Sequence, residues 1–268
     1  MAPALLLTCE HGGNQVPAAY RTLFYPAQAL LQTHRGLDLG AAQAARSLAR
    51  RLQAPLLVHC VSRLVIDLNR SLHHPKVFSN LTLGLPQALR TELIDSIYLP
   101  HRRAVWRALQ DLGGPAVHLA LHSFTPVLFG AERRVDIGLL YDPRRRGEVL
   151  FARHLRTHLQ RLLPELKIRY NAPYRGSADG LTTALRLLRP PITYLGLEIE
   201  LNQKHVGTPL WPKMLAALAQ ATAQSLTGHN AAATPCALKL PGAAAVPPAE
   251  SGRGRGCSLG PQPPAGRP

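Results

Sequence analysis

The sequence is short of acidic residues: 15 Asp and Glu stand against 31 Lys and Arg, a formal charge of +16 over 268 residues. Such a field favours anionic partners and small anionic substrates. Aromatics make up only 5% of the chain, and much of the basic charge falls in helical segments at 44–52 and 151–163. No single basic stripe is interleaved with aromatics, so nucleic-acid binding is not expected. The four cysteines, Cys9, Cys60, Cys236 and Cys257, contain no CxxC pair, which argues against a short disulfide framework. Cys9 and Cys60 lie in apolar strand-like runs, the ordinary setting of a buried free thiol, and no local spacing supplies Cys9 with a nucleophile's partner. No run of about 20 apolar residues is free of charge or helix breakers, so no membrane span is expected. The opening residues also lack a basic segment followed by a signal-like apolar run. The expectation is a cytoplasmic protein with no membrane partner and no internal repeat.

What is present suits one α/β domain. The hydrophobic fraction of 46% can fill a substantial core at this length, with little room for a second full domain. Short apolar runs at 5–8, 56–58, 64–66, 117–121 and 135–140 read as strands, with shorter or later ones at 167–170 and 194–201. Between them, helical spacing covers 37–52, with Leu39, Ala42, Ala45, Leu48 and Leu52 on one face, then 148–163, 181–188 and 211–226. The segment 87–112 is also helical in spacing, but Pro100 should bend or divide it. Alternating strands and helices predict a single three-layer α/β sandwich with a mixed, largely parallel sheet covered by helices. The domain is expected to span 1–228, closing helix included. An Ala/Pro/Gly-rich mobile tail at 229–268 follows.

Four strand-to-loop passages carry polar groups poorly suited to a core: Glu10-His11-Gly12-Gly13-Asn14, Ser62-Arg63 with Asp67-Leu68-Asn69-Arg70, His122-Ser123, and Glu198 to Gln203. An α/β sheet brings such loops to one edge, where ligands bind. Two imidazoles and a carboxylate suit zinc with an open position, although the same N/O donors admit other divalent metals. His11 and His122 each follow an apolar strand and are the nitrogen candidates, and Asp38 is the carboxylate candidate. His34 is an alternative that ligates in place of Asp38 or orients water. Taken singly, each has a plainer role: His11 as a loop-end hydrogen-bonding group, Asp38 as a helix cap and His122-Ser123 as a polar turn.

Glu198 and Glu200 project to one side of the late strand. Glu200, nearest the strand end and followed by Asn202 and Gln203, is the general-base candidate, with Glu198 as the alternative. Arg63, Asn69 and Arg70 are candidates to hold a substrate carboxylate, joined by Ser123 beside His122. The competing reading pairs Arg63 or Arg70 internally with Asp67.

In these pieces the chain resembles the N-formylglutamate amidohydrolase family, within the wider group of zinc carboxypeptidase-like hydrolases. The resemblance rests on Cys9 to Asn14 with Val16-Pro17, Thr33-His34 through Asp38-Leu39-Gly40-Ala41, and Ser62 through Arg70. It continues in His122-Ser123-Phe124-Thr125-Pro126, Asp136-Ile137-Gly138, Asn171-Ala172-Pro173-Tyr174 and Glu200-Leu201-Asn202-Gln203. It implies zinc-dependent hydrolysis of a small anionic N-acyl amino acid, with His11, Asp38 and His122 as metal ligands and Glu200 as the catalytic carboxylate. Asn69 and Arg70 would face the substrate carboxylate. Two other readings fit the same scaffold: a small zinc peptidase or peptidoglycan-directed amidase, and a noncatalytic binding or regulatory module.

Overall fold

In the computed structural model, which describes residues 3–232, a six-stranded sheet forms the middle layer. The strands are β1 (Ala4–Cys9), β2 (Leu56–Val58), β3 (Ala116–Phe124), β4 (Val127–Leu128), β5 (Ala131–Glu132), β6 (Ile137–Leu140), β7 (Ile168–Tyr170) and β8 (Tyr194–Asn202). The helices are α1 (Arg21–Phe24), α2 (Gln28–Leu31), α3 (Ala41–Leu52), α4 (Gln87–Leu93), α5 (Leu99–Asp111), α6 (Arg146–Leu162), α7 (Leu181–Leu188) and α8 (Leu210–Ala232). The sheet order is β2-β1-β3-β8-β6-β7, while β4 and β5 form a separate small hairpin. Strands β2, β1, β3 and β8 are parallel, β6 runs antiparallel to β8, and β7 is parallel to β6. This is the mixed, largely parallel sheet that the strand and helix alternation predicts.

Side-chain alternation along the strands makes two buried faces. Leu5 and Leu7 of β1, Leu119 and Leu121 of β3, and Leu197 and Ile199 of β8 pack with residues of α3, α6 and α8. Leu6, Ala116 and Tyr194 pack on the other side, against Val105 and Leu109 of α5 and Leu181 and Leu185 of α7. Helices therefore cover both faces and complete the three layers. The same alternation sends His122, Glu198 and Glu200 to the α5/α7 face at the carboxyl ends of β3 and β8. The chain leaves β1 for β2 on one side and β3 for β8 on the other, so the β1/β3 ends form the crevice where α/β sheets bind ligands.

Several sequence expectations are corrected here. Residues 64–66 form a turn rather than a strand: Val65 N–H donates to the Ser62 carbonyl, and Leu64 N–H to Ser62 Oγ. Their side chains are nevertheless buried, in a separate cluster with Tyr20, Phe24, Phe78 and Leu93. The apolar triple thus reports burial and not sheet pairing. The helix expected from 37 begins only at Ala41, because Gly40 sits at φ 82° and a Cβ there would meet Val206 and Trp211. Leu39 falls outside the helix and is 49% exposed, and the true buried face is Ala41, Ala44, Ala45 and Leu48. Pro100 divides the 87–112 segment without breaking it: a π-helical turn, Ile94–Tyr98, links α4 to α5, and Pro100 lies in the first turn of α5. The closing helix runs on through Ala232. Of the tail expected at 229–268, residues 229–232 continue this helix, and the rest, Cys236 and Cys257 included, lies outside the described residues.

Asp136, one of the motif residues, ties the starts of β6 and β7 to the carboxyl end of β8. Its carboxylate accepts from Lys167 N–H at 2.8 Å and lies 2.8 Å from His205 Nε2 and 2.7 Å from Lys204 Nζ. Burial alone would raise this carboxyl, but these partners hold it below the ordinary aspartate value. A lowered folded pKa stabilises the fold above the unfolded value, and that stability is lost as pH falls through the folded one. Asp136→Asn should therefore lower stability at neutral pH, with the gap from the parent protein closing as pH drops below about 4. Urea unfolding at several pH values reads this, and a gap that did not depend on pH would contradict it.

Candidate metal centre and active site

The loop after β1 is stitched to the loop after β2. Gly12 N–H donates to the His59 carbonyl, Gln15 N–H to that of Cys60, and Ser62 N–H returns to that of Gln15. A Cβ at Gly13 would run into the Cys60 backbone, so Gly12-Gly13 serves close chain approach and not merely a turn. The segment before α3 is fastened to the same place, with Asp38 N–H donating to the His11 carbonyl and Ser62 Oγ to that of Gly36. These segments and the carboxyl end of the neighbouring strand β3 therefore deliver side chains distant in sequence to one point.

That point holds His11, Asp38 and His122, all buried, with one potential ligand atom from each lying within 4.8 Å of the others. Asp38 Oδ2 is 3.3 Å from His11 Nδ1 and 2.9 Å from His122 Nδ1. The far nitrogen of each ring faces another carboxylate: His11 Nε2 is 2.8 Å from Asp67 Oδ1, and His122 Nε2 is 3.2 Å from Glu10 Oε2. The latter contact is off-line, an electrostatic pairing more than a well-directed hydrogen bond. A carboxylate behind each imidazole is the arrangement that turns an Nδ1 lone pair toward a metal. The donor set fits a divalent ion such as zinc.

The charges reinforce one another. Burial and the Arg63 cation push the His11 imidazole down, but Asp67 and Asp38 more than offset them and hold it above its usual value. Burial likewise opposes protonation of His122, and Asp38 with Glu10 carries it well above. Asp38 and Asp67, despite burial, are held far below the carboxylate range by the histidines and Arg63. Asp38 is no helix cap: its carboxylate is taken up by the two histidines and Arg63.

Glu200 lies beside His122 across the β3/β8 ladder. It is buried, and its Oε2 has no hydrogen-bond partner among the described residues. Burial, with Asp38 and Glu198 nearby, outweighs His122 and Arg63 and pushes its carboxyl up to about 8. Glu198 lines the same cavity but accepts a hydrogen bond from Thr182 Oγ1 at 3.0 Å.

The remaining sequence candidates separate. Arg63 is bound by Asp38 at 3.2 Å and Asp67 at 3.0 Å, the internal pairing that competed with substrate binding. Arg70 has no ion-pair partner among the described residues; its guanidinium donates to the Asp179 carbonyl and lines the cavity. Asn69 also lines it, while its Oδ1 accepts from Leu181 N–H at the start of α7. Ser123 Oγ is occupied internally, donating to the Leu39 carbonyl and accepting from Gln203 Nε2. His34 is exposed and stands outside the metal cluster. Cys9 is buried with its thiol pushed up by burial, unlike a nucleophile.

Sequence reasoning missed the roles of Glu10 and Asp67; of the other residues lining the cavity of about 180 Å³, Tyr174 falls in a motif of the resemblance, while Arg175 and Asp179 were not named as site residues. The signal for the two acids was available: each directly adjoins an apolar run, and a buried carboxylate requires a partner. Asp67→Asn, which can present the wrong group to His11 Nε2, is expected to weaken zinc affinity about 10–100-fold. Competition with a fluorescent chelator measures this, and unchanged affinity would remove Asp67 from the centre.

A family model described as N-formylglutamate amidohydrolase matches residues 3–206. No curated protein matches the sequence. Among solved structures, gene product Atu2144 from Agrobacterium tumefaciens is similar at 27% identity and a TM-score of 0.71, over 86% of this chain and 91% of its own. An N-formylglutamate amidohydrolase from Ralstonia eutropha JMP134 shares the fold at 19% identity and a TM-score of 0.58, over 86% and 95% of the two chains.

Proposed function

The chain belongs to the N-formylglutamate amidohydrolase family and is a metal-dependent amidohydrolase, and from that premise we propose that it hydrolyses an N-formyl or other short N-acyl acidic amino acid. The observation that carries this reading is the buried Glu200 Oε2, without a hydrogen bond among the described residues, in one cavity with the His11/Asp38/His122 cluster and Arg70, which has no ion-pair partner among those residues. The cavity, about 180 Å³, suits a single acyl amino acid.

In this reading His11, Asp38 and His122 would hold a zinc ion, with Asp67 and Glu10 fixing the two imidazoles. When bound, such an ion supplies Lewis-acid polarisation of an amide carbonyl and activates water near neutral pH. Glu200 removes a proton from the attacking water and returns one to the departing amine. Burial suits that exchange, because a carboxyl with a raised pKa both accepts and releases a proton near neutrality. Arg70 holds the substrate carboxylate, and the Asn69 amide, whose oxygen is fixed by Leu181 N–H, offers its NH₂ to the same group. Arg63 keeps Asp38 and Asp67 in place. Free thiols at Cys9 and Cys60 suit a reducing cytoplasm, which is the proposed location.

A substrate panel tests the reading. N-formylglutamate should be cleaved with kcat/KM about 10–100-fold above an N-formyl amino acid amide lacking the α-carboxylate. Arg70→Ala should remove most of that preference, mainly through KM. An Arg70→Ala protein that kept the full preference for N-formylglutamate over the neutral analogue would sink the assignment of Arg70.

A further inference from the structure

The cavity holding the His11/Asp38/His122 cluster does not end at the space a formyl group would fill. Asp38, Arg63, Arg70, Ser123 and Tyr174 line it and also line a neighbouring cavity of about 450 Å³. The larger space is therefore a continuation of the catalytic cleft. Buried Phe78 and Phe124 contribute to its lining, and His34, Arg35 and Lys76 stand exposed along it.

Its charge is one-sided. The acids that reach it, Asp38 and Asp67, are both bound by Arg63 and by His11. Arg35, Arg70 and Lys76 have no ion-pair partner among the described residues. With Arg70 and Asn69 assigned to the carboxylate of an N-acyl amino acid in the first cavity, Arg35 and Lys76 of the second are left without an anion. Unpaired cations around a partly apolar hollow suit a carboxylate on a short carbon chain, which loses little water at such an open site.

We propose that the second cavity is a subsite for an anionic extension of the substrate, recognised by Arg35 and Lys76, beyond the cavity that takes the scissile amide. This rests on the amidohydrolase reading of the site and narrows its substrate class to acyl amino acids with a further carboxylate. That carboxylate can be carried on the acyl half or on a residue following the amino acid.

Four substrates separate these sources: N-formylglutamate, N-succinylglutamate, its neutral counterpart N-butanoylglutamate, and N-formyl-Glu-Glu. One of the two substrates with the added carboxylate should exceed N-formylglutamate in kcat/KM by about tenfold, and N-butanoylglutamate should not. Which of the two does so identifies the half that carries the anion. The double variant Arg35→Ala/Lys76→Ala, at exposed positions, should lose about tenfold on that substrate through KM, leaving N-formylglutamate unchanged. Added salt should weaken the parent protein's preference in the same direction. N-formylglutamate outperforming both extended substrates, or equal losses on all substrates in the double variant, would overturn the subsite alone. Failure of the zinc-loaded protein to cleave any of the four would overturn the amidohydrolase reading and the subsite with it.

Discussion

Glu200→Gln is expected to lower kcat about 10²–10⁴-fold with zinc content unchanged, equivalent to roughly 3–5 kcal/mol of barrier. Glutamine keeps the size and much of the polarity of the buried side chain, so the β3/β8 ladder beside His122 should hold. What is lost is a group able to take and return a proton. The free Oε2 is the reason for expecting so large an effect, since a structural carboxylate in that position would be hydrogen-bonded. Glu198→Gln provides the internal comparison. Glu198 is already engaged by Thr182, and its substitution should cost much less in kcat. Near-normal turnover of the Glu200 variant at full metal occupancy would remove it from the chemistry.

Asp38→Asn carries the second large effect, on metal binding itself. Asp38 is the hub of the cluster: one oxygen faces both histidines and the other takes Arg63. Structural zinc sites bind by about 10–16 kcal/mol over four ligands, or roughly 3 kcal/mol each, so weakening one should cost about 10²-fold in affinity. The metal-free fold should also lose about 3 kcal/mol of stability, because the buried cations around Asp38 lose their shared anion. Chelator competition and denaturant unfolding read the two effects separately. Unchanged zinc affinity would exclude Asp38 as a ligand.

Much of this arrangement was legible because an apolar strand that empties into polar residues at an α/β sheet edge leaves a local trace. His11, His122 and Glu200 each carry it. The order of strands and helices also predicts the sandwich, since alternation of the two reflects layers. What was not legible depends on contacts remote in sequence. Leu64, Val65 and Ile66 look like a strand because burial under α1 and α4 demands the same residues that a strand does. The onset of α3 depends on Gly40 packing against Val206 and Trp211, far along the chain. Arg63 has the chemistry of a substrate clamp; pairing with Asp67 was one reading of the sequence, but nothing local says that Asp38 reaches it as well. Glu10 and Asp67 adjoin apolar runs, which marks them as buried acids, but that Asp67 backs His11 and Glu10 backs His122 is fixed only once the loops are stitched together.

The most direct test of the central claim is to strip the protein of metal and titrate zinc back while following N-formylglutamate hydrolysis. Activity should be absent at first, rise in proportion to bound zinc and saturate at about one ion per chain. Hydrolysis that persists without metal, or that stays absent at full zinc occupancy, would contradict the account.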